Sequence, residues 1–307
     1  MQRLIDHKVL VLIDDLFYQY GLDGKEHDGV LFLPMLNGNI SKGKKVLRGI
    51  RKVWLSSRLP LKEAWLGNWL EKIKPYDTII LGDAGNTSNV VNYIYKKYPG
   101  KRIIVWYRNS VSKTVPVYDF NRECCELWSF DKKDCEKYGM QYNPQFYIKN
   151  LNYVEKDKTI DAFFIGQDKG RKELLDEMKS TLEDHGLKCE FDIVGVNSGP
   201  LSYSRVLDKI SHSRAIVDCQ GQWQNGITLR PMEALFYEKK LITNSKEINK
   251  ADYYCKENIF IWGRDDISKL SSFMSYPIVR ISDDIKCKYG ISGWISNFFN
   301  SDYGIKT

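Results

Sequence analysis

Short, unbroken runs of apolar and β-branched residues alternate with stretches of helical periodicity along the whole chain, and this alternation leaves few folds open. In the first half the runs are KVLVLID (8–14), GVLFLP (29–34), DTIILG (77–82), KRIIVWY (101–107) and ELWSF (126–130), with helices expected near 41–57, 61–73 and 88–97. The second half repeats the plan. TIDAFFIG (159–166) leads into a helix near 170–185 with Leu174, Leu175, Met178 and Leu182 on one side. KCEFDIVG (188–195), a helix at 203–211, RAIVDC (214–219), a helix from about Thr228, KKLITN (239–244) and ENIFIW (257–262) follow. Strands without a polar face belong to parallel sheets covered on both sides, so the expected class is α/β. A chain of 307 residues with 43% hydrophobic content has material for two such domains. The polar stretch NLNYVEKDK (150–158) divides them into 1–152 and 153–307, and the tail 284–299 is expected to return to the first domain.

Several function classes drop out. No apolar run approaches the ~18 residues a membrane span needs, and the start MQRLIDHKVLVLIDD has no signal-peptide pattern, so a cytoplasmic protein is expected. The seven cysteines are scattered, with only Cys124 and Cys125 adjacent and no CxxC pair, which predicts reduced thiols. The four histidines (His7, His27, His185, His212) have no metal-ligand spacing, and no metal is expected. VLVLID is followed by DLFYQYG rather than the GxGxxG a dehydrogenase would carry.

The formal charge of +7 is placed unevenly. Between Ser41 and Arg58 lie Lys42, Lys44, Lys45, Arg48, Arg51, Lys52 and Arg58 with no acid, while Val46, Leu47, Ile50, Val53 and Trp54 recur at helical spacing. Such a basic amphipathic helix is a solvated structural face, a surface for anionic lipid or a lipid-linked substrate, or a nucleic-acid footprint. Nucleic acid ranks last, since the rest of the chain is mixed in charge and has no RNP-like, zinc-finger or helix-turn-helix signature. Lys44, Lys45, Arg48, Lys52 and Trp54 are the candidate membrane and acceptor surface.

Ligands of open α/β sheets bind beyond the carboxyl ends of the strands, so the loops there carry the candidate chemistry. QDKGRKELL (167–175) sets Lys169 and Arg171 at a helix N-terminus, where unsatisfied amides favour an anion. QGQWQNGITLR (220–230) is rich in glycine and amide side chains: Gly221 and Gly226 admit a ligand closely, and Gln224, Asn225, Ile227, Thr228 and Arg230 surround the start of the next helix. These parts converge on a diphosphate. Glu233 lies five residues into that helix, roughly 7.5 Å from its start. It falls at the rim of an apolar arc of Leu229, Met232, Leu235 and Phe236, and a half-buried carboxylate there needs a donor. The donor is a ribose hydroxyl pair of a nucleotide, a neighbouring cation such as Arg230 or a lysine, or a main-chain amide.

The stretch YSRVLDKISHSRAIVDCQGQWQNGITLRPMEALFYEKKLITN (203–244), with FIGQDKGR (164–171), resembles the carboxyl-terminal half of GT-B glycosyltransferases, especially bacterial enzymes of lipopolysaccharide and capsule biosynthesis. The resemblance implies two Rossmann-like domains facing each other across a cleft and a nucleotide sugar as donor. It further implies a ribose-binding role for Glu233, a hexosyltransferase activity without other cofactor, and a lipid-linked oligosaccharide acceptor. Localisation would be peripheral, at the inner face of the cytoplasmic membrane. Where that family has a second glutamate eight residues earlier, this chain has Asn225. No Asp-x-Asp occurs, so a metal-independent transfer is expected, with Lys169, Arg171 and helix dipoles stabilising the departing diphosphate. For an inverting reaction the base candidates are Asp83, Asp14 and Asp15 at strand ends of the first domain, each also readable as a cap or turn residue. A non-catalytic nucleotide-sugar-binding or scaffold protein is the alternative. A sugar-nucleotide epimerase ranks below both, lacking that family's histidine-arginine cluster.

Overall fold

The computed structural model describes residues 7–13, 26–27, 29–38, 45–150, 153–194, 202–221 and 228–300. The chain divides into two compact units, residues 1–144 with 295–307, and residues 145–294. The division therefore falls ahead of the polar stretch 150–158, because Phe146 and Tyr147 are already buried in the second unit: Phe146 stacks on Trp294 at 4.2 Å and the Tyr147 amide donates to Tyr289 O at 2.8 Å. The last segment belongs to the first unit, where Arg102 donates to Phe298 O at 2.8 Å and Trp128 packs on Phe298 at 4.8 Å.

Within the first unit the strands are β1 (Val9–Leu12), β2 (Glu26–His27), β3 (Val30–Leu33), β4 (Thr78–Gly82), β5 (Arg102–Tyr107), β6 (Glu126–Ser129) and β7 (Gln141–Tyr142). They form one sheet in the order β2-β3-β1-β4-β5-β6-β7, parallel throughout except for β2 against β3. Every residue of β1, β3 and β4 is buried, as the continuous apolar runs require. The basic amphipathic stretch forms helix α1 (Lys45–Ser56). No long helix follows it at 61–73. A 3-10 turn at Lys62–Trp65 and a single-turn helix α2 (Trp69–Lys72) take its place, separated by Gly67. A side chain at Gly67 would lie 2.2 Å from Pro34 O, and Trp69 Nε1 donates to Met35 O at 2.9 Å, so this stretch is pinned to the chain leaving β3 and cannot continue as a helix. Helix α3 (Thr87–Lys97) then covers the sheet through Val90, Val91 and Ile94.

In the second unit the strands are β8 (Ile160–Gln167), β9 (Cys189–Val194), β10 (Ser213–Asp218), β11 (Lys240–Thr243) and β12 (Ile259–Ile261). All pair in parallel, in the order β12-β11-β10-β8-β9. After α4 (Lys132–Tyr138), which closes the first unit's helices, the helices here are α5 (Lys172–Asp184), α6 (Tyr203–His212) and α7 (Leu229–Phe236). Leu175, Met178 and Leu182 of α5 and Met232 of α7 are buried, as the periodicity predicts. Each unit is thus a Rossmann-like α/β domain. In the first unit β1 lies between β3 and β4, and in the second β8 lies between β9 and β10, which in each creates a topological switch point.

The adjacent acidic pairs are structural where described. Asp266 Oδ1 caps Ser268 N at 3.0 Å, Asp265 Oδ2 accepts from Ile261 N at 2.7 Å, and Asp283 and Asp284 lie on the first turn of a helix capped by Ser282. Asp131 caps α4 by accepting from Lys133 N at 2.9 Å.

Candidate functional site

The switch point of the second unit lies between the carboxyl ends of β8 and β10, and the sequence places three cations there. Lys169 and Gly170 both take left-handed backbone conformations, φ 49° and 75°, turning the chain sharply into Arg171 at the head of α5. Arg171 is only 7% exposed. Its guanidinium donates to Cys219 O beyond β10 and, at 3.1 Å, to Gln167 O, yet its Nε is buried with no hydrogen-bond partner among the described residues. Arg230, on the first turn of α7, donates to Ile165 O at 2.8 Å. Both guanidiniums rest on Phe164, 5.0 and 4.8 Å from its ring centroid. Gly166 makes this possible, since a Cβ there would lie 2.6 Å from Arg230 Nη2.

These cations repel one another. Desolvation, then Arg171 and Arg230, hold the Lys169 amine below its ordinary pKa, and desolvation with Arg230 does the same to Arg171. The fixed counter-charge is Asp218, the last residue of β10, fully buried. It accepts from Thr228 Oγ1 and Thr243 Oγ1, each at 3.0 Å, and stands 3.7 Å from Arg230 Nη1. The loop beyond it is fixed by Asn244, which bonds both the amide and the carbonyl of Gln220 at 2.7 and 2.9 Å. Asp218 escaped the sequence reading; the available signal was an acid closing the buried run RAIVDC, the same signal that singled out Asp83.

One expectation needs correction. Two of the amides at the head of α5 are already engaged, since Asp168 Oδ1 accepts from Arg171 N at 3.1 Å and Lys172 N at 2.9 Å. The positive charge at this loop is carried by the side chains of Lys169, Arg171 and Arg230.

Thr228 and Arg230 stand at the start of α7 as expected, while Gln224, Asn225, Gly226 and Ile227 lie outside the described residues. Glu233 is buried more deeply than a rim position suggests, at 5% exposure. Burial raises its pKa to about 7, against the opposing pull of Arg230 and a hydrogen bond from Tyr203.

In the first unit the switch point lies between β1 and β4. Asp83, directly after β4, is sealed: its side chain is 1% exposed, Oδ2 accepts from Asn109 N at 3.2 Å and Asn109 Nδ2 at 3.1 Å, and Arg108 Nε stands 3.5 Å away. Burial raises its pKa, with Arg108 and Asn109 opposing. Asp14 and Asp15 lie outside the described residues. On α1, Arg48 and Lys52 are exposed; Lys44 and the Lys45 side chain lie outside the described residues. Trp54 is half-buried, donating to Pro60 O at 2.8 Å beside Trp65. The exposed apolar surface here is Val46, Ile50, Val53, Leu59 and Leu61, at 75, 43, 65, 43 and 73%. No helix among the described residues is long and apolar enough to cross a membrane.

No protein-family model matches the chain and no curated protein sequence does. Among solved structures, sucrose-phosphate synthase from Thermosynechococcus elongatus is similar with a TM-score of 0.50 at 9% identity, over 95% of this chain and 88% of that one. The apo form of the lipopolysaccharide outer core galactosyltransferase WaaB gives a TM-score of 0.48 at 14% identity, over 96% and 99% of the two chains. An alpha-glucosyltransferase in complex with UDP and a 13-mer DNA gives 0.41 at 9% identity, over 98% and 97%. At such identities the likeness to the synthase is one of fold, the α/β fold with two Rossmann-like domains.

Proposed function

We propose that this chain is a glycosyltransferase that moves a sugar from a nucleoside-diphosphate sugar to a growing lipid-linked surface glycan. The observation that carries the reading is the cation cluster at the second unit's switch point. Lys169, Arg171 and Arg230 converge there, with Asp218 3.7 Å from Arg230, and the buried Nε of Arg171 has no acceptor among the described residues. A diphosphate supplies the missing negative charge and acceptor oxygens. The same side chains would stabilise the charge that grows on the diphosphate as the glycosidic bond to the donor breaks, without calling on a metal. Glu233, deeper on the same helix, would take the ribose, and Gln224, Asn225, Gly226 and Ile227, which precede Thr228 in the chain, are proposed as further contacts of the nucleotide sugar. The candidates for the base that deprotonates the acceptor hydroxyl are Asp83, Asp14 and Asp15 at the strand ends of the first unit; Asp83, held by Asn109 and Arg108, would have to open to reach an acceptor.

A membrane-bound acceptor is supported by the surface around α1. Five aliphatic side chains from Val46 to Leu61 stand exposed beside Arg48, Lys52 and Arg58, and Leu61 is held at φ 59°, a conformation a leucine rarely adopts. An apolar ridge flanked by cations suits the boundary of an anionic bilayer, where the chain would act from the cytoplasmic side. The decisive experiment mixes the protein with a panel of nucleotide sugars and lipid-linked acceptors on anionic vesicles, and measures nucleoside diphosphate release. Release that depends on acceptor is expected. Tight nucleotide-sugar binding without turnover on any acceptor would instead indicate a binding protein of the same fold.

A further inference from the structure

Glu233 sits in surroundings that ordinarily neutralise a carboxylate. It is 5% exposed, Asp218 adds like charge, and the cation acting on it, Arg230, spends its guanidinium on Ile165 O at 2.8 Å and on Asp218 at 3.7 Å. The direct donor to Glu233 is the hydroxyl of Tyr203, the first residue of α6. Behind it, the hydroxyl of Tyr147 is hydrogen-bonded to that of Tyr203. Tyr147 is itself immobilised: 1% exposed, packed on Phe236 and Tyr237 at ring distances of 5.3 and 5.9 Å, and with its amide donating to Tyr289 O at 2.8 Å. Tyr237 is fixed in turn by Asn150 N, which donates to its hydroxyl at 3.1 Å, and by Tyr153 stacked at 4.2 Å.

We propose that Tyr203 and Tyr147 are positioning residues for Glu233, one behind the other, that hold its carboxylate ionised and oriented to accept the vicinal hydroxyls of a ribose. The proposal rests on the assignment of this site to a nucleotide. Its chemical reason is the arithmetic of lone pairs. An ionised carboxylate accepts one hydrogen bond from Tyr203 and still has acceptor sites for both hydroxyls of a diol. A protonated acid has fewer acceptor sites and presents a donor where the diol also presents donors. The groups that set the charge of Glu233 are Arg230, which favours ionisation, Asp218, which opposes it, and the neutral phenols of Tyr203, Tyr147 and Tyr237. Removing the Tyr203 hydroxyl leaves burial and Asp218 opposed by Arg230 alone, so the carboxylate takes up a proton at a higher pH.

The test begins with the ligand-free full chain. Carbon-13 NMR of labelled glutamate carboxyls, with the Glu233 signal identified by its loss in Glu233→Gln, gives the protonation midpoint. The wild type is expected to titrate at about 7. Tyr203→Phe should raise the midpoint by about one pH unit, the worth of one hydrogen bond to a charged group, and Tyr147→Phe by less. Affinities for uridine, guanosine and adenosine diphosphates and their 2′,3′-dideoxy counterparts are then measured at pH 6.5, 7.5 and 8.5. For the ribonucleotide that binds, Tyr203→Phe should cost about eightfold at pH 6.5, about threefold at pH 7.5 and almost nothing at pH 8.5, while dideoxy binding stays level. An unmoved midpoint, or a loss equal for both ligands at every pH, overturns the positioning role. A midpoint that moves while the wild type binds ribo and dideoxy forms alike overturns the ribose assignment of Glu233 itself.

Discussion

The two units share the order of five parallel strands, β3-β1-β4-β5-β6 and β9-β8-β10-β11-β12, and diverge in what closes the strands at the switch point. In the first, the acid after β4 is already answered within the protein: Asp83 has Asn109 on one oxygen and Arg108 at 3.5 Å. In the second, three cations gather where β10 ends in the buried Asp218, and among the described residues the Nε of Arg171 has no acceptor. The sheet fixes where a ligand can sit in both; the residues at the strand ends decide whether charge is left over to bind one. A site whose charges are balanced internally is stable and selective for little. One that carries surplus charge gives up stability in exchange for affinity.

The largest effect is expected at the acid that organises the second switch point. Asp218→Ala removes the acceptor of Thr228 and Thr243 and the counter-charge of Arg230, and should cost about 3–5 kcal/mol of stability in urea unfolding. A cost below about 1 kcal/mol would mean that Asp218 does not hold the cluster together. Next, joint replacement of Lys169 and Arg171 by alanine should lower nucleoside diphosphate affinity roughly a hundredfold, read by calorimetry, with little change for the free nucleoside. The same pair predicts that pyrophosphate at 100 times its dissociation constant stabilises the wild type by about 2.7 kcal/mol and fails to stabilise the double variant. Equal losses for nucleotide and nucleoside would erase the contrast between the units. The smallest stability effect belongs to Asp83→Asn, which keeps an acceptor for Asn109 and loses only the attraction to Arg108, about 1 kcal/mol. Donor affinity should not change, whereas acceptor-dependent turnover should fall by about a hundredfold or more if Asp83 is the base. Wild-type turnover in that variant would leave the role to Asp14 or Asp15.

The strands were legible because burial on both faces writes itself as uninterrupted apolar residues; Val9–Leu12 and Thr78–Gly82 are buried at every position. Lys169, Arg171 and Arg230 were legible for a related reason, since loops after such strands have a known place. The chain at 61–73 was misread because its apolar spacing is helical while its conformation is dictated by contacts of Gly67 and Trp69 with Pro34 and Met35, far away in sequence. The partner of Glu233 was hidden in the same way: Tyr203 lies thirty residues upstream and no local pattern ties it to α7. On α1 the periodicity correctly found an apolar stripe, but it could not say which part of the stripe the protein covers. Trp54 turns toward Trp65, and Val46, Ile50 and Val53 are left exposed.

The return of the last segment to the first unit has a consequence for how the molecule comes into being on the ribosome. The second unit is one continuous stretch, 145–294, so it can complete its sheet as soon as that stretch has emerged. The first unit begins earlier yet finishes later, since Arg102, with Glu126 in a bidentate pair at 2.6 and 2.8 Å, must wait for Phe298 O, and Trp128 must wait for the Phe298 ring. Until residues 295–300 are made, the edge of that sheet near β6 keeps apolar surface uncovered while the inserted unit is already built. Ribosome-bound chains stopped before Ile295 should therefore protect the second unit from protease and leave the β5–β6 region of the first open to cleavage.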